Sequence, residues 1–141
     1  MDRTYRGLIA GIVGAILMNI ANLILYTYKI VDVRFIDWGS ILMLGSRPEN
    51  YLETTYGLMV QIFWTGLVGV GLSFLLPKIT SRGELLKGGF YSFFVTFLFR
   101  VVTLIFNVPF LSQISVKTNL INTMIAFFWG LLVVEFLFLL D

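Results

Sequence analysis

Apolar residues run almost unbroken through four stretches of this chain, Gly7 to Tyr28, Tyr56 to Leu76, Gly88 to Phe106 and Thr118 to Leu140. Each is about 19 to 23 residues long, and a helix of that length, rising about 1.5 Å per residue, crosses a hydrocarbon core of about 30 Å. The pattern predicts an all-α polytopic membrane protein, a single transmembrane domain over residues 1–141 with four spans packed as a bundle. The start, MDRTYRGLIAGIVGAILMNI, begins as a signal peptide does, with Arg3 and Arg6 ahead of an apolar run. That run is too long for a signal-peptide core and lacks a small-x-small cleavage site, so it reads as a retained first helix.

The connection over residues 29–55 is too long for a bare turn. Its apolar segment DWGSILMLG has Asp37 as a plausible N-cap, Gly45 as a helix stop and Pro48 beyond. It reads either as a short helix lying in the interface, with Trp38, Ile41, Leu42 and Leu44 in lipid or on the bundle, or as an ordered loop capping the bundle. Pro77 and Pro109 stand just past spans 2 and 3, where proline commonly follows a helix end. Tyr5, Tyr26, Tyr28, Tyr51, Tyr56 and Tyr91 fall near span ends, as an aromatic belt requires.

Polar and small residues recur inside the spans at helical spacing, where positions four apart share a face. Span 1 has Gly7, Gly11, Ala15, Asn19 and Asn22, and span 2 has Gly57, Gln61, Thr65, Gly69 and Ser73. Span 3 has Gly88, Ser92, Thr96, Arg100, Thr103 and Asn107, and span 4 has Asn119, Thr123, Ala126 and Gly130 with Asn122 close by. Membrane helices associate through small residues and interhelical hydrogen bonds, so the stripes should face one another. Gly7, Gly11, Gly57, Gly69 and Gly130 are the expected packing positions. Measured from the outer ends, Asn22, Gln61 and Arg100 lie roughly 9 to 11 Å deep, with Asn119 to Thr123 slightly shallower. Arg100, Asn19, Asn22, Gln61, Asn122 and Thr123 therefore form a candidate ligand-binding cluster at one level.

Composition narrows the chemistry. At 58% hydrophobic and 13% charged, the 141 residues lie outside the globular range. The absence of Cys and His removes thiolate catalysis, His-ligated haem and imidazole relays, and no metal or other cofactor is expected. The net charge of +2 is scattered over helix ends rather than gathered on one face, which argues against nucleic acid. Arg3 and Arg6 before span 1, and Lys78, Arg82 and Lys87 between spans 2 and 3, place both termini in the cytoplasm by the positive-inside rule. Lys29, Arg34, Arg47 and Lys117 oppose them, spread over longer loops and diluted by Asp32, Asp37, Glu49 and Glu53.

Arg100 is the sharpest feature, since an ionisable group at the centre of a span costs at least about 2.5 kcal/mol on insertion scales. Two readings stand. It receives an anionic group entering from outside, a lipid phosphate or a carboxylate. Alternatively a loop carboxylate, Glu53 first and then Asp37 or Glu49, folds down as its counter-ion, or the side chain snorkels outward. Glu135, off the stripe of span 4, is expected to snorkel to the interface. Spans 1 and 3 also match at an offset of 81, pairing Arg6 with Lys87, Gly7 with Gly88, Gly11 with Ser92, Ala15 with Thr96, Asn19 with Arg100 and Asn22 with Thr103. That is the signature of a parallel repeat of two hairpins, though basic flanks and small-residue stripes also arise independently.

The segments LGSRPENYLE and LLPKITSRGELLKGG resemble loops of a family of small, uncharacterised four-helix integral membrane proteins of bacteria. The resemblance implies the fold and the cytoplasmic membrane, and carries no activity. The leading expectation is a non-enzymatic accessory or scaffold-like subunit that binds a lipid headgroup or a membrane partner, alone, as a homo-oligomer or in a larger membrane complex. A small oligomeric transporter or channel for a polar or anionic solute comes second. A lipid-modifying enzyme comes third, for want of clustered acids or an activated nucleophile.

Overall fold

The computed structural model describes residues 2–78, 83–108, 111 and 114–140, so Arg82 and Pro109 lie outside the described residues. It is all-α: α1 (Arg3–Thr27), α2 (Phe35–Leu44), α3 (Tyr51–Leu75), α4 (Glu84–Ile105) and α5 (Val116–Leu139). α1, α3, α4 and α5 are long and apolar enough to cross a membrane. The short α2 lies between the first two of them, so the first connection holds a helix rather than a loop.

Each long helix starts upstream of its apolar edge, because a polar first turn is invisible to hydropathy. α3 shows the cause most clearly. Asn50 Oδ1 accepts from Glu53 N at 2.9 Å, while Glu53 Oε2 accepts from Glu49 N at 2.7 Å. The first bond satisfies an amide that the helix start leaves open, and the second ties the residue before the cap to the first turn. α5 starts on Ser115, whose Oγ accepts from Thr118 N at 3.2 Å. α1 and α4 end alike, with Lys29 and Asn107 left-handed at φ 59° and 50°. Amides just beyond bond back to Leu25 and Thr103 carbonyls at 2.9 and 3.1 Å, a Schellman-type closure.

The N-cap expected at Asp37 is corrected. α2 begins three residues earlier than that cap implies, Arg34 occupies the cap position, and Asp37 sits at the third helical position accepting from Arg34 N at 2.8 Å. The Arg34 guanidinium reaches the other carboxylate oxygen at 3.0 Å, so the pair closes the turn from both sides. Gly45 ends α2 in the left-handed region at φ 82°.

Close backbone approach organises the bundle. A Cβ on Gly69 would lie 2.6 Å from the Gly7 carbonyl oxygen and 2.8 Å from Gly11 Cα, so α1 and α3 touch through their glycines. α4 and α5 do the same where Gly130 and Gly88 face each other's carbonyls. Gly39 of α2 rests on the Gly57 carbonyl, which lays α2 across the start of α3. α1 also packs along α5, whereas α4 packs along α5 and meets α3 at Tyr91, with a gap between the two helices above that point. Two apolar clusters fill the ends: Ala10, Leu72, Val133, Val134 and Leu137 at one, and Val33, Ile41 and Leu111 under α2 at the other.

Candidate functional site: a cavity at the open seam

Between the two clusters, where α3 and α4 part, lies a cavity of about 130 Å³. α3 contributes Gln61, Trp64, Thr65 and Val68; α4 contributes Ser92, Val95, Thr96, Phe99 and Arg100; α5 contributes Asn119, Asn122, Thr123, Ala126 and Trp129. Met18 of α1 and Phe35 and Trp38 of α2 complete the wall. The walls are mostly apolar, and Arg100 is the one charged side chain among the described residues that line it.

Of the six clustered residues expected from the sequence, Arg100, Gln61, Asn122 and Thr123 line this cavity. Asn19 and Asn22 stand one layer behind and hold its wall. Asn19 Nδ2 donates to Gln61 Oε1 at 2.6 Å and to the Ala15 carbonyl at 2.8 Å, while Gln61 Nε2 donates to Thr65 Oγ1 at 3.1 Å. Asn22 Nδ2 donates to Asn122 Oδ1 at 2.9 Å, and its own oxygen accepts from Phe35 N at 2.8 Å. Asn122 Nδ2 then donates to the Val33 carbonyl at 3.2 Å. One amide pair thus joins α1, α5 and the entry to α2, with every polar atom used. Such satisfaction is what a low-dielectric interior demands.

Arg100 is half-buried and donates through Nη1 to the Leu111 carbonyl, which ties α4 to the connection before α5. Two of the loop carboxylates named as counter-ions bond elsewhere. Asp37 is committed to Arg34, Glu53 caps α3, and Glu49 is exposed. Glu135 is exposed on α5, away from the cavity.

The tryptophans were not singled out as a site by the sequence, yet all three, Trp38, Trp64 and Trp129, line the cavity. Trp129 was the legible one, since an indole deep in a span beside Ala126 and Gly130 is out of place for an interfacial belt. Its Nε1 donates to the Gly11 carbonyl at 3.3 Å, and its ring packs on Gly14. Trp38 stacks at a tilt on Phe99, ring centroids 4.7 Å apart, and roofs the cavity from α2. Its Nε1 is buried without a hydrogen-bond partner, as is Asn19 Oδ1. Unmet polar atoms away from water cost roughly 1 to 3 kcal/mol each.

Comparison of the chain with protein-family models, with curated proteins and with solved structures finds no match. The loop resemblance therefore identifies no family, and the established class is a small polytopic helical membrane protein.

Proposed function

We propose that this chain is a non-enzymatic, accessory or scaffold-like protein of the bacterial cytoplasmic membrane, with both termini inside, that holds an anionic group in the cavity beside Arg100. The carrying observation is the cavity itself: α3, α4 and α5 bring amides, hydroxyls and one guanidinium around a space of about 130 Å³, which Met18 of α1 and Phe35 and Trp38 of α2 help to enclose. A guanidinium presents five donors in a planar fork and matches phosphate or carboxylate oxygens. The Asn119 amide lines the same cavity and adds donors, whereas the Thr96 and Thr123 hydroxyls donate to carbonyls of their own helices, and an acceptor on the bound group would satisfy Trp38 Nε1.

The other half of the bundle is packed with Leu72, Val133, Val134 and Leu137, which favours a dead-ended binding site over a conduction path. A ligand bound only to the folded state stabilises it in proportion to occupancy. Adding an anionic phospholipid to the detergent-purified chain should raise its Tm by about 4 °C or more, and a zwitterionic lipid should do far less. Arg100→Gln should abolish the difference between the two lipids; an undiminished difference would refute the site.

A further inference from the structure

We infer that the occupant of this cavity is a membrane-resident anionic amphiphile that enters sideways from the bilayer between α3 and α4, rather than a soluble anion that enters from water. The inference rests on the anion-site reading and adds the ligand's class and route.

The route follows from which helix pairs are closed. α1 and α3 touch through Gly7, Gly11 and Gly69, and α4 and α5 through Gly88 and Gly130. α1 and α5 are joined by the Trp129 indole on Gly11 and by the Asn22 to Asn122 bond. Toward the α3–α4 connection, Tyr91 Oη donates to the Val68 carbonyl at 3.0 Å and shuts the lower end of the seam. At the other end α2 forms a roof, held by Asn122 on Val33, Thr118 on Asp32 N at 2.9 Å, and Trp38 on Phe99. Between these ties, α3 and α4 stand apart, and that gap faces lipid.

The sequence explains why this seam is open. Residues of α3 match those of α5 at an offset of 61, Gln61 with Asn122 and Gly69 with Gly130, just as α1 matches α4 at 81. Contacts follow the same register: Gly7 meets Gly69 as Gly88 meets Gly130. In a parallel repeat the α1–α5 interface is then the counterpart of α4–α3. Trp129 fills the first; its counterpart is Val68, and Gly11 and Gly14 correspond to Ser92 and Val95. Where one seam has an indole on two glycines, the other has valine facing larger side chains. Val68, Ser92 and Val95 all line the cavity.

The lips suit acyl chains. Trp64 on α3 lines the cavity and is exposed, and on α4 Phe94 and Leu98, three and seven residues past Tyr91 and so on its α3-facing flank, are exposed as well. The cavity volume accommodates a headgroup, since a water molecule's share of liquid is about 30 Å³, and the chains would lie outside along Trp64, Phe94 and Leu98.

The test uses the full chain in zwitterionic vesicles carrying a trace of phosphatidate with a diazirine in one acyl chain, or a matched phosphatidylcholine probe. Inorganic phosphate serves as soluble competitor, and labelled residues are mapped by mass spectrometry. The expected result is labelling concentrated on Trp64 and the Phe94 and Leu98 lip, about tenfold stronger for phosphatidate, as charge-assisted hydrogen bonding implies. Inorganic phosphate should not displace it. Val68→Trp, which supplies the missing indole, should remove the lip labelling, and Val95→Phe narrows the same gap from α4 should the first variant not fold. Labelling spread evenly over all lipid-facing helix surfaces, with Arg100-dependent protection by inorganic phosphate, would overturn lateral entry and leave the anion site standing. Equal labelling by both probes, unchanged in Arg100→Gln, would overturn both.

Discussion

Asn22 and Asn122 show what single side chains accomplish in this protein. Their bond, with the contacts to Phe35 N and the Val33 carbonyl, anchors the roof to the bundle at one buried point. Asn22→Leu should strand a backbone amide and an amide oxygen, lowering stability by about 1 to 3 kcal/mol in detergent unfolding. Trp38→Phe removes one N–H and keeps the stacking surface on Phe99. If that N–H bonds the ligand, lipid-free stability should hold or rise while stabilisation by anionic lipid shrinks. Loss of stability in both conditions would assign the indole a purely structural role. The residue stripes were legible because helical periodicity reports which side chains share a face. The division of labour was not: Asn19 and Asn22 hold the wall, whereas Gln61 and Asn122 form it. Periodicity cannot rank residues along the radius of a bundle.

Among elements, the four spans and the stop at Gly45 follow from hydropathy and turn chemistry alone. The helix starts required the caps, and Asn50 with Glu53 was a readable signal inside a stretch that hydropathy treats as loop. The character of α2 depended on something a one-dimensional pattern lacks, the contact of Gly39 with Gly57 on a helix still to come. Two substitutions separate the close approaches. Gly130→Ala places a methyl against Gly88 and should cost at least about 1 to 3 kcal/mol by forcing α4 from α5. Gly39→Ala should instead loosen α2 over the cavity. In a chain with no native cysteine, a single cysteine at Thr96 should then react faster with a membrane-impermeant maleimide than in the parent; an unchanged rate would contradict the roof.

For the whole molecule, the informative property is asymmetry between two matched hairpins. α4 buries the smallest share of its apolar stretch, 22% against 33 to 39% for the other spanning helices, because among the described residues α5 is its one extensive packing partner. Four stripes on four helices predict a bundle, yet they do not say which neighbours close. The replacement of an indole by Val68 on the second seam does, once the register between α3 and α5 is known from their contacts. The account then reduces to a single claim: an anionic amphiphile is retained beside Arg100. Native mass spectrometry of the chain released from mild detergent tests this most directly. The account predicts a wild-type population carrying one anionic phospholipid per chain, lost in Arg100→Gln and in Val68→Trp while the protein remains folded. A wild-type chain that emerges without lipid, or retains the same lipid in both variants, would contradict it.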